Sequence, residues 1–241
     1  MAREKIRTSN ESLNSMSDTQ VQELGFRIFT DVFTRIDVDR LAQDISRAPL
    51  RRSRAGMRHA LKHPTVLEVA RDGRLLRIAK EILGCDPFPF RATFFDKSLA
   101  SNWLVAWHQD TALPLRERRE VPEWGPWSVK DGVVYAHAPA SALSRVIALR
   151  LHLDDSLLEN GPLRVLPGTH TMGVLSEDAL HGLSSHIPAV DCLTPRGGIL
   201  AMRPLIVHAS SKSQSTTPRR VLHVEYTDSV VLHEGLELAI S

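Results

Sequence analysis

The sequence predicts an α+β fold that is mainly β, a sandwich or barrel with helices packed on its outside. Two observations carry this reading. Up to Gly84 the apolar residues fall mostly at helical spacing; after Cys85 the chain breaks into short segments rich in β-branched and aromatic residues. Those segments are punctuated by Asn-Gly, Pro-Gly and Gly-Gly, which are turn signals. A run of strands after a run of helices implies segregated layers. At 241 residues the chain is long enough to bury a substantial core in one domain.

Taken in order, residues 1–18 are polar and rich in Ser and Asn, so they read as a loose tail before a single domain over 19–241. In "HPTVLEVARDGRLLRIAKEILG", Val66, Val69, Leu75, Ile78, Ala79 and Ile82 recur at intervals of three and four. Pro64 suits a helix start and Gly84 a helix end, and Gly73 divides the run into two short helices. The strands expected next are "FRATFFDKS", "WLVAWHQD", "VIALRLHLDD", "LRVLPGTH", "GGILAMRPLIVHAS" and "RRVLHVEYTDS". Residues 111–145, with four prolines and two tryptophans, fit no element well. A connection that long is usually a functional lid, the alternative being a loop packed on its own core, and its aromatic content argues against disorder.

Composition narrows the function classes. Thirty basic residues against 28 acidic ones leave a net charge of +2, with no nucleic-acid footprint. The Arg clusters at 51–58 and 116–119 read as solvated faces. No apolar run reaches membrane-span length, and the N-terminus has no apolar signal core. Cys85 and Cys192 form no CxxC and read as buried, unpaired thiols, consistent with a reducing cytoplasm.

Alternation within the strands says more. Around the first His-x-Asp, Trp103, Val105 and Trp107 fall on one face; Leu104, Ala106, His108 and Asp110 fall on the other. Ile147, Leu149, Leu151 and Leu153 oppose Ala148, Arg150, His152 and Asp154. Arg220, Leu222, Val224 and Tyr226 oppose Arg219, Val221, His223 and Glu225. A sheet with one solvated face gives this pattern. Yet the polar faces hold His, Asp, Arg and Glu with no Lys, a set that would equally line the inside of a barrel.

Two His-x-Asp pairs, His108/Asp110 and His152/Asp154, could grip a metal. A site of two His and one carboxylate on one face of iron leaves positions open for substrate and oxygen. His208, at the close of an apolar strand, could complete either pair, so spacing does not separate them. Position favours the first. It opens into the long 111–145 connection, whereas the second runs toward a tight Asn160-Gly161 turn.

"WHQD", then "ENGPLRVLPGTH", then "HASSKSQSTTPRR" resemble the phytanoyl-CoA dioxygenase family of Fe(II)- and 2-oxoglutarate-dependent oxygenases. The likeness runs from about residue 20 to about residue 228, and the three motifs in order are specific where each alone is weak. It implies a double-stranded β-helix (jelly-roll) core with the N-terminal helices outside. It implies the metal ligands His108, Asp110 and His208, and Arg219, eleven residues after His208, as the anchor of the 2-oxoglutarate C5 carboxylate. Arg suits that role because its planar fork gives a carboxylate two parallel hydrogen bonds. Ser210 matches a position that touches the co-substrate.

Two departures stand out. Arg150 occupies a place where relatives carry a tryptophan beside 2-oxoglutarate; it either faces the co-substrate or an acidic substrate, or forms a salt bridge with Glu225 or Asp154. Phe95 stands where some relatives have an Asn; Lys97 two residues on could substitute for it, although the residue type favours an exposed lysine.

The activity implied is hydroxylation of an unactivated C–H of a small molecule, with Fe(II), 2-oxoglutarate and O2 consumed to give succinate and CO2. Asp110 favours this over halogenation, because iron halogenases of this type lack the carboxylate. Thr111, Leu113, Trp127 and His137, on the 111–145 stretch, are the expected substrate contacts. Leu115 and Trp124 would add to an apolar wall, with Arg116, Arg118 and Arg119 placed to meet an anion. The rival reading is a jelly-roll protein that binds a metal or small ligand without turnover; it has no need of Arg219. Neither nucleic acid nor membrane is expected as a partner.

Overall fold

The strand Val146–His152 is buried along its whole length, as only a strand covered on both faces can be. The computed structural model that places it describes residues 20–47, 56–98, 101–233 and 235–240. The expected tail at 1–18 and most of the 51–58 Arg cluster lie outside the described residues.

In chain order the first strands are β1 (Phe26–Phe29), β2 (Phe88–Lys97), β3 (Val105–His108), β4 (Ala112–Leu115), β5 (Trp127–Lys130) and β6 (Val133–His137). They are followed by β7 (Val146–His152), β8 (Leu163–Leu166), β9 (Val190–Asp191), β10 (Ile199–Met202), β11 (Val207–Ser210) and β12 (Arg219–Thr227). Helices α1 (Arg35–Arg47), α2 (Pro64–Ala70) and α3 (Gly73–Leu83) precede β2.

Two antiparallel sheets make the jelly roll: a major one ordered β1-β10-β7-β12-β2 and a minor one ordered β3-β11-β8-β9. From β7 onward the chain crosses back and forth between them, so both sheets are built from interleaved segments, and neither closes into a barrel. On the outer face of the major sheet, Ile147, Leu149 and Leu151 of β7 join Leu222, Val224 and Tyr226 of β12. Val38, Leu41 and Ile45 of α1, Val66 of α2, and Leu75, Ile78 and Ile82 of α3 pack on them. Tyr226 ties the layers with a buried hydrogen bond from its hydroxyl to the Ala70 carbonyl, 2.8 Å. The greasy faces therefore turn to the helices and the polar faces turn inward. This settles the choice that alternation left open.

The helix boundaries follow their signals. Pro64 opens α2, Asp72 caps α3 by accepting from the Arg74 N–H, and Gly84 ends it with φ 73°. Between Cys85 and Cys192, both free thiols, only Cys192 is buried; Cys85 is half-buried. Among the described residues, no helix is long and apolar enough to cross a membrane.

Three expectations are corrected. Phe26–Phe29, inside the region read as mostly helical, is an edge strand of the major sheet; four residues carry too little periodicity to reveal it. "GGILAMRPLIVHAS" is two strands, β10 and β11, in different sheets, parted at the Arg203-Pro204 turn. Residues 111–145 are no structureless connection but a third antiparallel sheet, β4-β6-β5, followed by the short helix α4 (Ala140–Leu143). Pro114 obscured it. Proline is tolerated there because β4 is an edge strand.

Candidate active site

His108 and His208 lie directly opposite each other on β3 and β11, with ring centroids 4.1 Å apart. Asp110 follows β3, its N–H bonded to the Pro204 carbonyl at 2.9 Å. Its carboxylate oxygens lie 3.8 Å from His108 Nε2 and 3.6 Å from His208 Nε2. Among the described residues this is the group of three whose ligand atoms all fall within 4.8 Å of one another. In each histidine Nδ1 lies 2.9 Å from a backbone carbonyl two residues earlier, of Ala106 or of Ile206. A carbonyl only accepts, so Nδ1 carries the proton, and Nε2 keeps its lone pair for an ion. Burial lowers His208 to about 4, which leaves the neutral imidazole that a metal needs.

Local irregularity places these groups. His208 pairs with His108, but Ser210 pairs with Val105, so β3 carries one extra residue between the two rungs. The bulge reverses the alternation expected from the sequence. Trp103 and Val105 share the cavity wall with His108, whereas Leu104 is exposed. Gln109, between His108 and Asp110, is itself tied down: its amide donates to the Gly173 and Leu205 carbonyls and accepts from the Leu175 N–H. The pair His152/Asp154 forms no such site. His152 is buried on β7, and Asp154 is engaged by Arg220 through both carboxylate oxygens.

The triad opens into a cavity of about 340 Å³ between the two sheets. Arg150, Arg219, Ser210, His223, Glu225, Arg91 and Thr93 contribute to its walls. Ser210 is a hub. Its hydroxyl donates to the Gly161 carbonyl at 2.9 Å and accepts from Lys97 Nζ at 2.8 Å, with Arg219 Nη2 at 3.4 Å. Lys97 also donates to the Ser211 carbonyl. Gly161 itself sits at φ 67°, and a Cβ there would lie 2.3 Å from the Ser211 carbonyl oxygen, so the turn must be glycine.

Lys97, Arg150 and Arg219 are all buried, and among the described residues none has a carboxylate partner. The salt bridges considered for Arg150 are taken: Glu225 pairs with Arg91, and Asp154 with Arg220. Arg150 donates to His223 Nδ1 instead, and Arg219 Nη1 has no partner. Burial, with repulsion from the neighbouring arginines, lowers Lys97 to about 7, and burial with repulsion from Arg150 lowers Arg219 to about 9; Arg150 is lowered to about 10 by burial alone, against the pull of Asp110 and Glu225. Desolvated cations without counter-charge cost several kcal/mol each. A bound anion would offset that cost.

The expected substrate contacts divide. Thr111 and His137 line the cavity and bond to each other at 2.7 Å. Leu113 and Trp127 do not line it; Leu113 is buried in a second core with Leu115 and Trp124, and Trp127 packs against that core. Arg116 and Arg118 are exposed and pair with Glu237 and Glu120. Sequence reasoning gave no role to His223 or to the Arg91–Glu225 pair, although His223 and Glu225 share the face of Arg219 in strict alternation. It also gave none to His59, which lines the cavity from a left-handed backbone, φ 56°. His59 arrives from a loop, where no periodicity marks it.

The sequence matches the model of the phytanoyl-CoA dioxygenase (PhyH) family over residues 21–221, most of the chain. Among curated proteins it is 26% identical over 178 residues to an L-proline trans-4-hydroxylase of Streptomyces griseoviridis, covering 63% of this chain and 59% of that protein's length. In fold it is similar to EctD from S. alaskensis with 2-oxoglutarate and 5-hydroxyectoine, with a TM-score of 0.68 at 16% identity over 88% of this chain and 75% of that one. A similar likeness, TM-score 0.67 at 16% identity over 91% and 84%, relates it to SnoN, a non-heme alpha-ketoglutarate-dependent epimerase from nogalamycin biosynthesis.

Proposed function

The chain belongs to the phytanoyl-CoA dioxygenase family, and from that premise we propose that it is an Fe(II)- and 2-oxoglutarate-dependent dioxygenase hydroxylating an unactivated C–H of a small organic molecule. One observation carries the reading: a His-Asp-His triad and two buried arginines with no hydrogen-bonded carboxylate, Arg150 and Arg219, line the same cavity. A metal alone would explain the first and leave the second unexplained.

On this reading His108 and His208 present Nε2, and Asp110 a carboxylate oxygen, to the iron. Their spacings let one ion touch all three. Arg219 and Ser210 hold the far carboxylate of 2-oxoglutarate, and Lys97 supports Ser210 from behind. The bound iron and co-substrate would supply the oxidative chemistry, giving succinate and CO2 as one oxygen atom enters the substrate. The chain's own part is to orient the groups and to exclude water. Asp110 fills the position that a halide would need, which supports hydroxylation. The epimerase relative marks a different outcome on the same fold.

The reading is tested by calorimetric titration of 2-oxoglutarate into the protein in oxygen-free buffer, with and without Mn(II) as a redox-inert stand-in. Saturable binding that strengthens with the metal is expected in the wild type, with the metal effect lost in Asp110→Ala. No binding in the presence of metal would overturn it.

A further inference from the structure

The inner face of the major sheet is a ladder of rungs. Arg219 pairs with Lys97 on the first, Val221 with Phe95 and His152 on the second, His223 with Thr93 and Arg150 on the third, and Glu225 with Arg91 and Ala148 on the fourth. At ~3.4 Å per residue, the backbone of the Arg150 rung lies about 14 Å along the strands from that of Arg219. The backbones of the two arginines thus stand at different levels of the sheet, although their side chains converge closely enough for Arg150 to lower Arg219.

Charge separates them as well. On the co-substrate reading above, the two charges of iron are met by Asp110 and the keto-acid carboxylate, and the far carboxylate meets Arg219. Arg91 is matched by Glu225 and Arg220 by Asp154. Arg150 and Lys97 are left over, and of these two it is Arg150 that lines the cavity. It is 6% exposed, yet among the described residues no carboxylate hydrogen-bonds to it; Asp110 and Glu225 favour its charge only from a distance. Its Nη1 donates to His223 Nδ1 at 2.9 Å, its guanidinium carbon lies 5.2 Å from the centre of the Phe95 ring, and its Nε has no partner. The group is held from two sides with a donor unused. At the mouth, Arg58 and Lys130 carry the same sign, and Asp131 stands 3.7 Å from Arg58.

We propose that the primary substrate is a small carboxylate and that Arg150 is the residue that recognises it, one anion beyond the 2-oxoglutarate that Arg219 holds. This rests on the co-substrate reading. The volume supports the size limit. About 340 Å³ is at the small end of ligand cavities, and the co-substrate must share it. A planar guanidinium matches a carboxylate in preference to a neutral group of the same shape, because the charged acceptor strengthens every hydrogen bond.

The test loads the protein with Mn(II) and saturating 2-oxoglutarate in oxygen-free buffer, then titrates propionate and, separately, propionamide by calorimetry. The 2-oxoglutarate affinity of each variant is measured first. Propionate is expected to bind the loaded wild type, and propionamide about tenfold more weakly or less. Arg150→Gln should lose roughly tenfold or more of the propionate affinity while 2-oxoglutarate affinity stays within about threefold. Arg150→Lys, which keeps the charge without the fork, should recover part of it, as a merely misfolded site would not. Equal binding of acid and amide, or no propionate binding to the loaded wild type, overturns the proposal. So does an Arg150→Gln variant that loses 2-oxoglutarate instead, since Arg150 would then serve the co-substrate. Failure of 2-oxoglutarate to bind with metal present would instead remove the parent reading, and that result is seen before propionate is added.

Discussion

Lys97 is 1% exposed, and burial, then Arg219 and Arg150, lower its ammonium to about 7. It therefore titrates where cells work. The sign for folding is direct. Above its ordinary value near 10.5 the amine is neutral whether folded or not; between that value and about 7 the unfolded chain holds the extra proton. Stability from this residue thus falls as pH drops from about 10.5 to about 7. Binding of 2-oxoglutarate runs the other way, because a dicarboxylate favours the ammonium. Its affinity for the metal-loaded protein should weaken as pH rises through about 7, and Lys97→Met should flatten that profile; an unchanged slope in the variant would exclude Lys97 from the anion site. Arg219→Ala should cost roughly 10- to 100-fold in 2-oxoglutarate affinity, since a charge-assisted pair contributes about 1.5–3 kcal/mol. Arg219→Lys should restore only part, for want of the fork.

Among the elements, legibility depended on regularity. β7 and β12 alternate without interruption, so Arg150 could be grouped with His152 on one strand and Arg219 with His223 and Glu225 on the other from sequence alone, while the pairing that puts both groups on one side of the sheet could not. β3 could not be read that way, because its bulge adds a residue between Val105 and His108 and puts both on the cavity wall. The third sheet was hidden by prolines and by strands of four or five residues. The turn before β8 shows what a local element contributes to the site. Gly161 lets the chain pass the Ser211 carbonyl, its own carbonyl accepts from Ser210, and that of Asn160 accepts weakly from Arg219 Nε at 3.4 Å. Gly161→Ala should destabilise the protein by about 1–3 kcal/mol, the usual cost of a strained backbone, and weaken 2-oxoglutarate together with it. Urea unfolding beside co-substrate titration checks both. A loss of stability with binding intact would separate the turn from the site.

Across the whole molecule, three layers divide the labour. The helices cover the outer face of the major sheet, the third sheet forms a second core with Leu113, Leu115 and Trp124, and the space between the major and minor sheets holds the chemistry. The order of helices before strands made the layering legible, and the resemblance carried in "WHQD", "ENGPLRVLPGTH" and "HASSKSQSTTPRR" made the triad legible. What stayed hidden lacks a local signal: His59 comes from a loop, and the Arg91–Glu225 pair joins neighbouring strands at positions 134 residues apart. The most direct test of the account is succinate release from 2-oxoglutarate by the purified protein with Fe(II) and oxygen, beside Asp110→Ala and Arg219→Ala. The account predicts iron-dependent release by the wild type, none from the Asp110 variant, and a markedly raised 2-oxoglutarate requirement in the Arg219 variant. Release that survives Asp110→Ala, or none from the iron-loaded wild type, would contradict it.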